Sequence, residues 1–148
     1  MASGWTNKGK YKLLGWGFRA ETAPTEYKMA LVTNAVAPTA DTNTLSQLTE
    51  IGTGTGYTSG GLAVERSAVG FDVWTEDDAN DRSYVQIKDL VWTASGAGMS
   101  SVYYSVLTDD NATVGSREVY AYFDLTGPLT VSSGQTLTLQ DFELRLTE

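Results

Sequence analysis

The side chains of this sequence best suited to chemistry carry oxygen. Glu76, Asp77, Asp78, Asn80 and Asp81 crowd into one short stretch, and a hard cation such as calcium takes several carboxylate and carbonyl oxygens from one compact loop. Asp77, Asp78, Asn80 and Asp81 are therefore the candidate calcium ligands. Their order departs from an EF-hand loop, which needs ligands at alternate positions, a central glycine and a distal glutamate. A solvated turn explains the same residues, because Asp and Asn bond their own backbone at strand ends.

The chain has no histidine and no cysteine. That removes the Ser-His-Asp triad, a histidine general base, an imidazole or thiolate metal site, and any disulfide framework. A two-carboxylate glycosidase survives the exclusion on residue types alone. It would need a pocket whose apolar walls raise one carboxyl pKa, whereas the acids here gather in loop-like sequence. No catalytic residue and no cofactor are expected.

The run at 52–61, Gly-Thr-Gly-Thr-Gly-Tyr-Thr-Ser-Gly-Gly, invites comparison with phosphate-binding loops. A dinucleotide loop beginning at Gly52 or Gly54 would place its third glycine at Tyr57 or Ser59. Gly56 and Gly61 have the Walker separation, but Leu62 and Ala63 stand where lysine and a hydroxyl residue are required. The run reads as a surface loop.

The elements that must carry these loops are strands. At 118–125 Glu, Tyr, Tyr and Asp alternate with Val, Ala, Phe and Leu, and period-two alternation puts successive side chains on opposite faces of an extended chain. Further strands are expected at 11–18, 27–33, from 62 onward, at 71–74, 84–92, 101–107, 117–125, 129–131 and 136–146. The second is apolar on both faces, as a strand buried on both sides would be. Apolar parity changes between Leu139 and Phe142, which predicts a bulge near Gln140 and Asp141. One short helical turn is expected near 42–51, where Asp41, Thr42 and Asn43 precede Leu45, Leu48 and Ile51. Residues 1–10 read as an extended N-terminal arm and 11–148 as one domain. The fold class is all-β, an antiparallel β-sandwich, jelly-roll-like.

At 148 residues with 41% hydrophobic and 19% charged content, the chain is long enough to bury a core of its own. Its net charge of −8 repels a phosphate backbone, so no nucleic-acid partner is expected. No stretch has the length and apolarity of a signal peptide or a membrane span. Trp5, Trp16, Trp74 and Trp92 with Tyr103, Tyr104, Tyr120 and Tyr122 fill a sandwich core or, where they face outward, form a sugar platform or an oligomer interface.

Several strings occur in order: Lys28-Met29-Ala30-Leu31-Val32-Thr33, Thr39-Ala40-Asp41-Thr42-Asn43-Thr44-Leu45, Leu48-Thr49-Glu50-Ile51, Gly56-Tyr57-Thr58-Ser59-Gly60-Gly61, Phe71-Asp72, Val91-Trp92-Thr93-Ala94-Ser95-Gly96 and Gly134-Gln135-Thr136-Leu137-Thr138-Leu139. In combination the chain from about Tyr27 onward resembles small virion structural proteins of tailed bacteriophages, most of all head decoration (cement, or auxiliary capsid) proteins. The resemblance implies a protein made in the host cytoplasm that sits on the capsid exterior of the virion. It also implies a homo-oligomer, a trimer at local three-fold positions, bound to the major capsid protein and in contact with neither nucleic acid nor membrane. The alternative is a tail or fibre component that attaches to a receptor. For the oligomer and capsid interface the expected residues are Trp5, Lys8 and Lys10 on the arm, Tyr57 on the glycine loop, and Glu76 and Asp77 at the acidic tip.

Overall fold

The computed structural model describes residues 4–147. In chain order β1 (Gly4–Trp5) leads into α1 (Asn7–Phe18), followed by β2 (Glu26–Val32), β3 (Leu62–Glu65), β4 (Val73–Asp77), β5 (Arg82–Ile87), β6 (Leu90–Thr93), β7 (Met99–Thr108), β8 (Val119–Val131), β9 (Thr136–Leu139) and β10 (Phe142–Thr147). All strand pairs are antiparallel. A five-stranded sheet runs β1-β8-β7-β2-β3, a three-stranded sheet β10-β5-β4, and β6 pairs with β9 alone. The architecture is mostly β and sandwich-like.

One core cluster takes Met29, Leu31, Leu107 and Phe123 from the large sheet, Ile87 and Leu144 from the three-stranded sheet, and Trp92, Leu137 and Leu139 from the pair. A second cluster joins Ala30, Val32, Tyr104, Val106, Val119 and Tyr122 to Leu45 and Leu48. β2 therefore contributes to both clusters, as its two-sided apolar sequence predicts. Leu45 and Leu48 come from the expected helical turn, which is a 3-10 turn at Leu45–Gln47 started by a capping box between Thr44 and Gln47.

Four expectations are corrected. Residues 11–18 are helix, part of α1. Residues 84–92 form two strands, because the Lys88 N–H leaves the ladder to donate to the Gly70 carbonyl at 3.0 Å. The separate strands expected at 117–125 and 129–131 are one, β8. The parity change at 140–141 is a full break between β9 and β10, with Asp141 at φ 56°, and the two strands belong to different sheets.

The segment expected as an extended arm is folded from residue 4 onward; its first three residues lie outside the described residues. A bulge in β8 holds it. Leu107 pairs with Ala121 but Thr108 with Val119, which leaves Tyr120 as the extra residue. The Tyr120 carbonyl, freed from the ladder, accepts from the Thr6 N–H at 3.0 Å. The Thr6 hydroxyl donates to the Val119 carbonyl at 2.6 Å and accepts from the Gly9 N–H at 2.9 Å, capping α1. A Cβ at position 9 would stand 2.1 Å from the Tyr120 oxygen, so only glycine lets the helix lie this close to the strand.

Candidate functional site

With Gly9 against β8, the helical period turns Leu13 and Trp16 inward and Tyr11, Leu14 and Phe18 outward. Trp16 meets Tyr120 edge-on at 5.3 Å and Tyr27 at 6.2 Å, while Tyr27 meets Phe71 at 5.6 Å. Edge-to-face geometry of this kind adds about 0.5–1.5 kcal/mol per pair beyond burial. Trp5 closes the group from β1, its indole N–H donating to the Arg145 carbonyl at 2.9 Å.

These rings wall a cleft of about 390 Å³ between α1 and the three-stranded sheet, lined almost wholly by apolar atoms. Trp74, Val85 and Leu144 lie opposite one another across β4, β5 and β10 and form its far side, with Arg66 and Ser67 at its edge. β4 is the outer strand of its sheet, so nothing covers Trp74, which is 87% exposed. Burial pushes the Tyr27 hydroxyl pKa up despite the opposing pull of Arg66. Burial, followed by the charges of Asp109 and Glu118, pushes Tyr120 up further.

Two apolar surfaces therefore flank the cleft. On α1, Tyr11 is 61% exposed, Leu14 58% and Phe18 82%, a stripe at i, i+3 and i+7 facing away from the protein. At the other wall stand Trp74 and, beyond it, Leu146, half exposed, with Val69 exposed on the preceding loop. Lys10 and Arg19 bracket the helix stripe and form no ion pair among the described residues, and the same holds for Glu76, Asp78 and Asp81 beside Trp74.

Of the residues expected at an interface, Trp5 is half-buried in this cluster, and Lys8 is tied to Glu118 at 3.5 Å. Lys10 and Glu76 are exposed. Asp77 is engaged within its own loop, by Asn80 at 2.9 Å and Arg82 at 2.7 Å. Those two partners, Asn80 first, hold its carboxyl below the usual range. Among the described residues no group of three or more acidic side chains is arranged to grip a metal ion. Asp78, Asn80 and Asp81 instead make a short 3-10 turn ending in left-handed backbone at Asp81.

Tyr57, expected on an exposed loop, is only 2% exposed. Its hydroxyl accepts from the Leu31 N–H at 3.2 Å and donates to Glu50 at 2.5 Å. Glu50 also accepts from the Ser59 hydroxyl at 2.7 Å and the Gly60 N–H at 2.6 Å. The glycine run is thus stitched down onto β2. Burial and the hydrogen bond to Glu50 raise the Tyr57 pKa far above its ordinary value of 10.0.

The sign of the resulting pH effect is fixed: above about pH 10 the unfolded chain sheds tyrosine protons that Tyr57 and Tyr120 keep in the folded state. Stability is unaffected by these groups below that pH and falls above it, by about 1.4 kcal/mol per pH unit for each tyrosine. Urea titrations between pH 9 and 11.5 should show that decline, and Tyr57→Phe should flatten it by one tyrosine's share. An equal slope in wild type and variant would contradict it.

The residues that reading the sequence missed are Leu14, Phe18, Val69 and the outward setting of Trp74. A helical reading of 7–18 would have found the first two, since Tyr11, Leu14 and Phe18 then fall opposite Gly9 and Trp16. No protein-family model, curated protein or solved structure matches the chain.

Proposed function

We propose that this chain is a structural protein of a tailed-bacteriophage virion, a jelly-roll-like sandwich that binds the outside of the head as a trimer and reinforces the shell. The observation that carries the reading is the exposed aromatic surface of Phe18 and Trp74, 82% and 87% exposed. Large apolar side chains grouped on a surface mark contacts with other protein subunits. The sequence strings from Lys28 to Leu139 support the phage assignment, and the net charge of −8 suits a subunit kept apart from packaged DNA.

The mechanism is mass action. A protein that binds the assembled shell and not its free subunits stabilises the shell by RT ln(1 + [L]/Kd) per site, about 2.7 kcal/mol at a hundredfold excess over Kd. Repeated over many sites, this raises the temperature and osmotic stress at which the head bursts. Enzyme and receptor-binding roles would use the same surface differently, the first by turnover and the second at the tail.

The test is co-sedimentation of the purified protein with empty heads of its phage, followed by heat and osmotic challenge. Saturable binding and a higher burst temperature are expected, with immunogold label over the whole head. Label confined to the tail, or a burst temperature unchanged at saturation, would overturn the reading.

A further inference from the structure

We infer that copies of this chain associate head to tail, the outer stripe of α1 on one copy seating against the Trp74 wall of the cleft on the next. The inference deepens the proposed function, since it rests on the reading that the chain acts as an oligomer, and it names which surfaces meet.

Charge decides the pairing. The helix stripe of Leu14 and Phe18 is bracketed by Lys10 and Arg19, two exposed cations without an ion pair among the described residues. On β4, Glu76 follows Trp74 by two residues and so shares its exposed face, and Asp78 and Asp81 stand in the adjoining turn, exposed and equally unpaired.

A symmetric contact of helix with helix would set Lys10 and Arg19 against their own copies. A symmetric contact of β4 with β4 would set three carboxylates against three more in a chain already at −8. Like charges placed together across an interface oppose association. Only contacts of helix with wall join apolar to apolar and cation to anion at once, whether made reciprocally in a two-fold pair or repeated head to tail.

The cleft, about 390 Å³ and nearly all apolar at its walls, gives the Phe18 ring a place to enter, as an aromatic anchor fills a partner's pocket. A heterologous contact repeated around an axis closes into a ring, whereas a symmetric one stops at two copies. The head-to-tail form is the one that fits the three-fold assembly proposed above.

The test uses the full chain and two variants at exposed positions, Phe18→Glu and Trp74→Glu, by sedimentation velocity. Wild type should run as one closed oligomer of three or more copies, a wild-type dimer overturning the head-to-tail arrangement, and each variant alone should run as a 15.9 kDa monomer. Mixed in equal amounts the two variants should form a dimer and stop there. The Trp74→Glu copy still offers its helix to the intact wall of the Phe18→Glu copy, and the second contact is spoiled on both.

If either variant is misfolded by circular dichroism, the charge pair replaces it. Lys10→Glu with Arg19→Glu should weaken assembly at least tenfold, and adding Glu76→Lys and Asp81→Lys to the same chain should restore it.

The inference is overturned by a Trp74→Glu variant that still assembles, by a mixture that stays monomeric, or by a wild type that is monomeric at about 1 mM, where even weak contacts register. A monomeric wild type whose tryptophan emission shifts with anilinonaphthalene sulfonate, a shift lost in Trp74→Glu, would assign the cleft to a small apolar ligand instead. Should the ring form but fail to bind heads, the pairing stands and the capsid reading falls.

Discussion

Replacing Gly61 with alanine should lower the free energy of unfolding by about 3–5 kcal/mol, a size reserved for a few mechanisms such as backbone strain and overpacking. Both apply. Gly61 has φ +76°, and a Cβ there would stand 1.8 Å from the Met29 carbonyl oxygen and 2.7 Å from the Ala30 Cα. Left-handed backbone costs an alanine about 1–2 kcal/mol, and the clash is with backbone, which cannot rotate aside.

Relief would require β3 to move away from β2 just where Leu62 pairs with Met29. Gly54→Ala supplies the control, because Gly54 also has φ +76° but has nothing within 4 Å of its Cβ position. Urea midpoints at unchanged slope should fall far more for Gly61→Ala than for Gly54→Ala. Equal losses would show that the approach to Met29 carries no cost.

The second large effect is expected at Glu50. Its carboxylate accepts from Tyr57, Ser59 and the Gly60 N–H, and Tyr57 in turn accepts from Leu31. Hydrogen bonds to a charged group contribute about 1.5–3 kcal/mol each, and orphaned buried donors cost about 1–3 kcal/mol. Ser59 is exposed and can turn to water, so two donors set the loss.

Glu50→Ala should therefore destabilise by about 3–4 kcal/mol. Glu50→Gln keeps one acceptor oxygen for Tyr57 and Gly60 and should cost about a third as much. The same urea midpoints measure both, and equal losses for Ala and Gln would mean that the side chain acts by packing alone.

These two sites show how far the sequence could be read. β2 was legible because Met29, Ala30, Leu31 and Val32 leave no polar face, and the restart at Leu62 because Val64 alternates with Ala63 and Glu65. The turn at Leu45 was legible from the spacing of Leu45 and Leu48, although its cap is Thr44 with Gln47 and not the expected Asp41, Thr42 and Asn43.

α1 was not. Three glycines, at 9, 15 and 17, each weaken a helix by about 1 kcal/mol relative to alanine, and Leu14, Trp16 and Phe18 share the parity of one strand face. The deciding contact lies over a hundred residues away, where Tyr120 leaves the ladder and its carbonyl needs the Thr6 N–H. No local pattern reports a bulge that distant.

The site suffered the same way. Trp74 and Tyr57 are both aromatic residues in polar surroundings, and which one is buried depends on whether a partner such as Glu50 can reach the hydroxyl. The acidic tip fitted both a ligand set and a solvated turn, because sequence cannot show that Asn80 and Arg82 already occupy Asp77.

The outer margin of β8 is sealed by little: two residues of β1, then Thr6 and Gly9 pressed on Tyr120. Peeling back residues 4–18 would bare a row of amides on β8, the longest strand among the described residues, a ready template for another polypeptide. The segment proposed to offer an adhesive stripe to a neighbour is thus also the latch that keeps the margin of its own large sheet from zippering onto strangers, and proteolytic trimming there would forfeit both at one stroke.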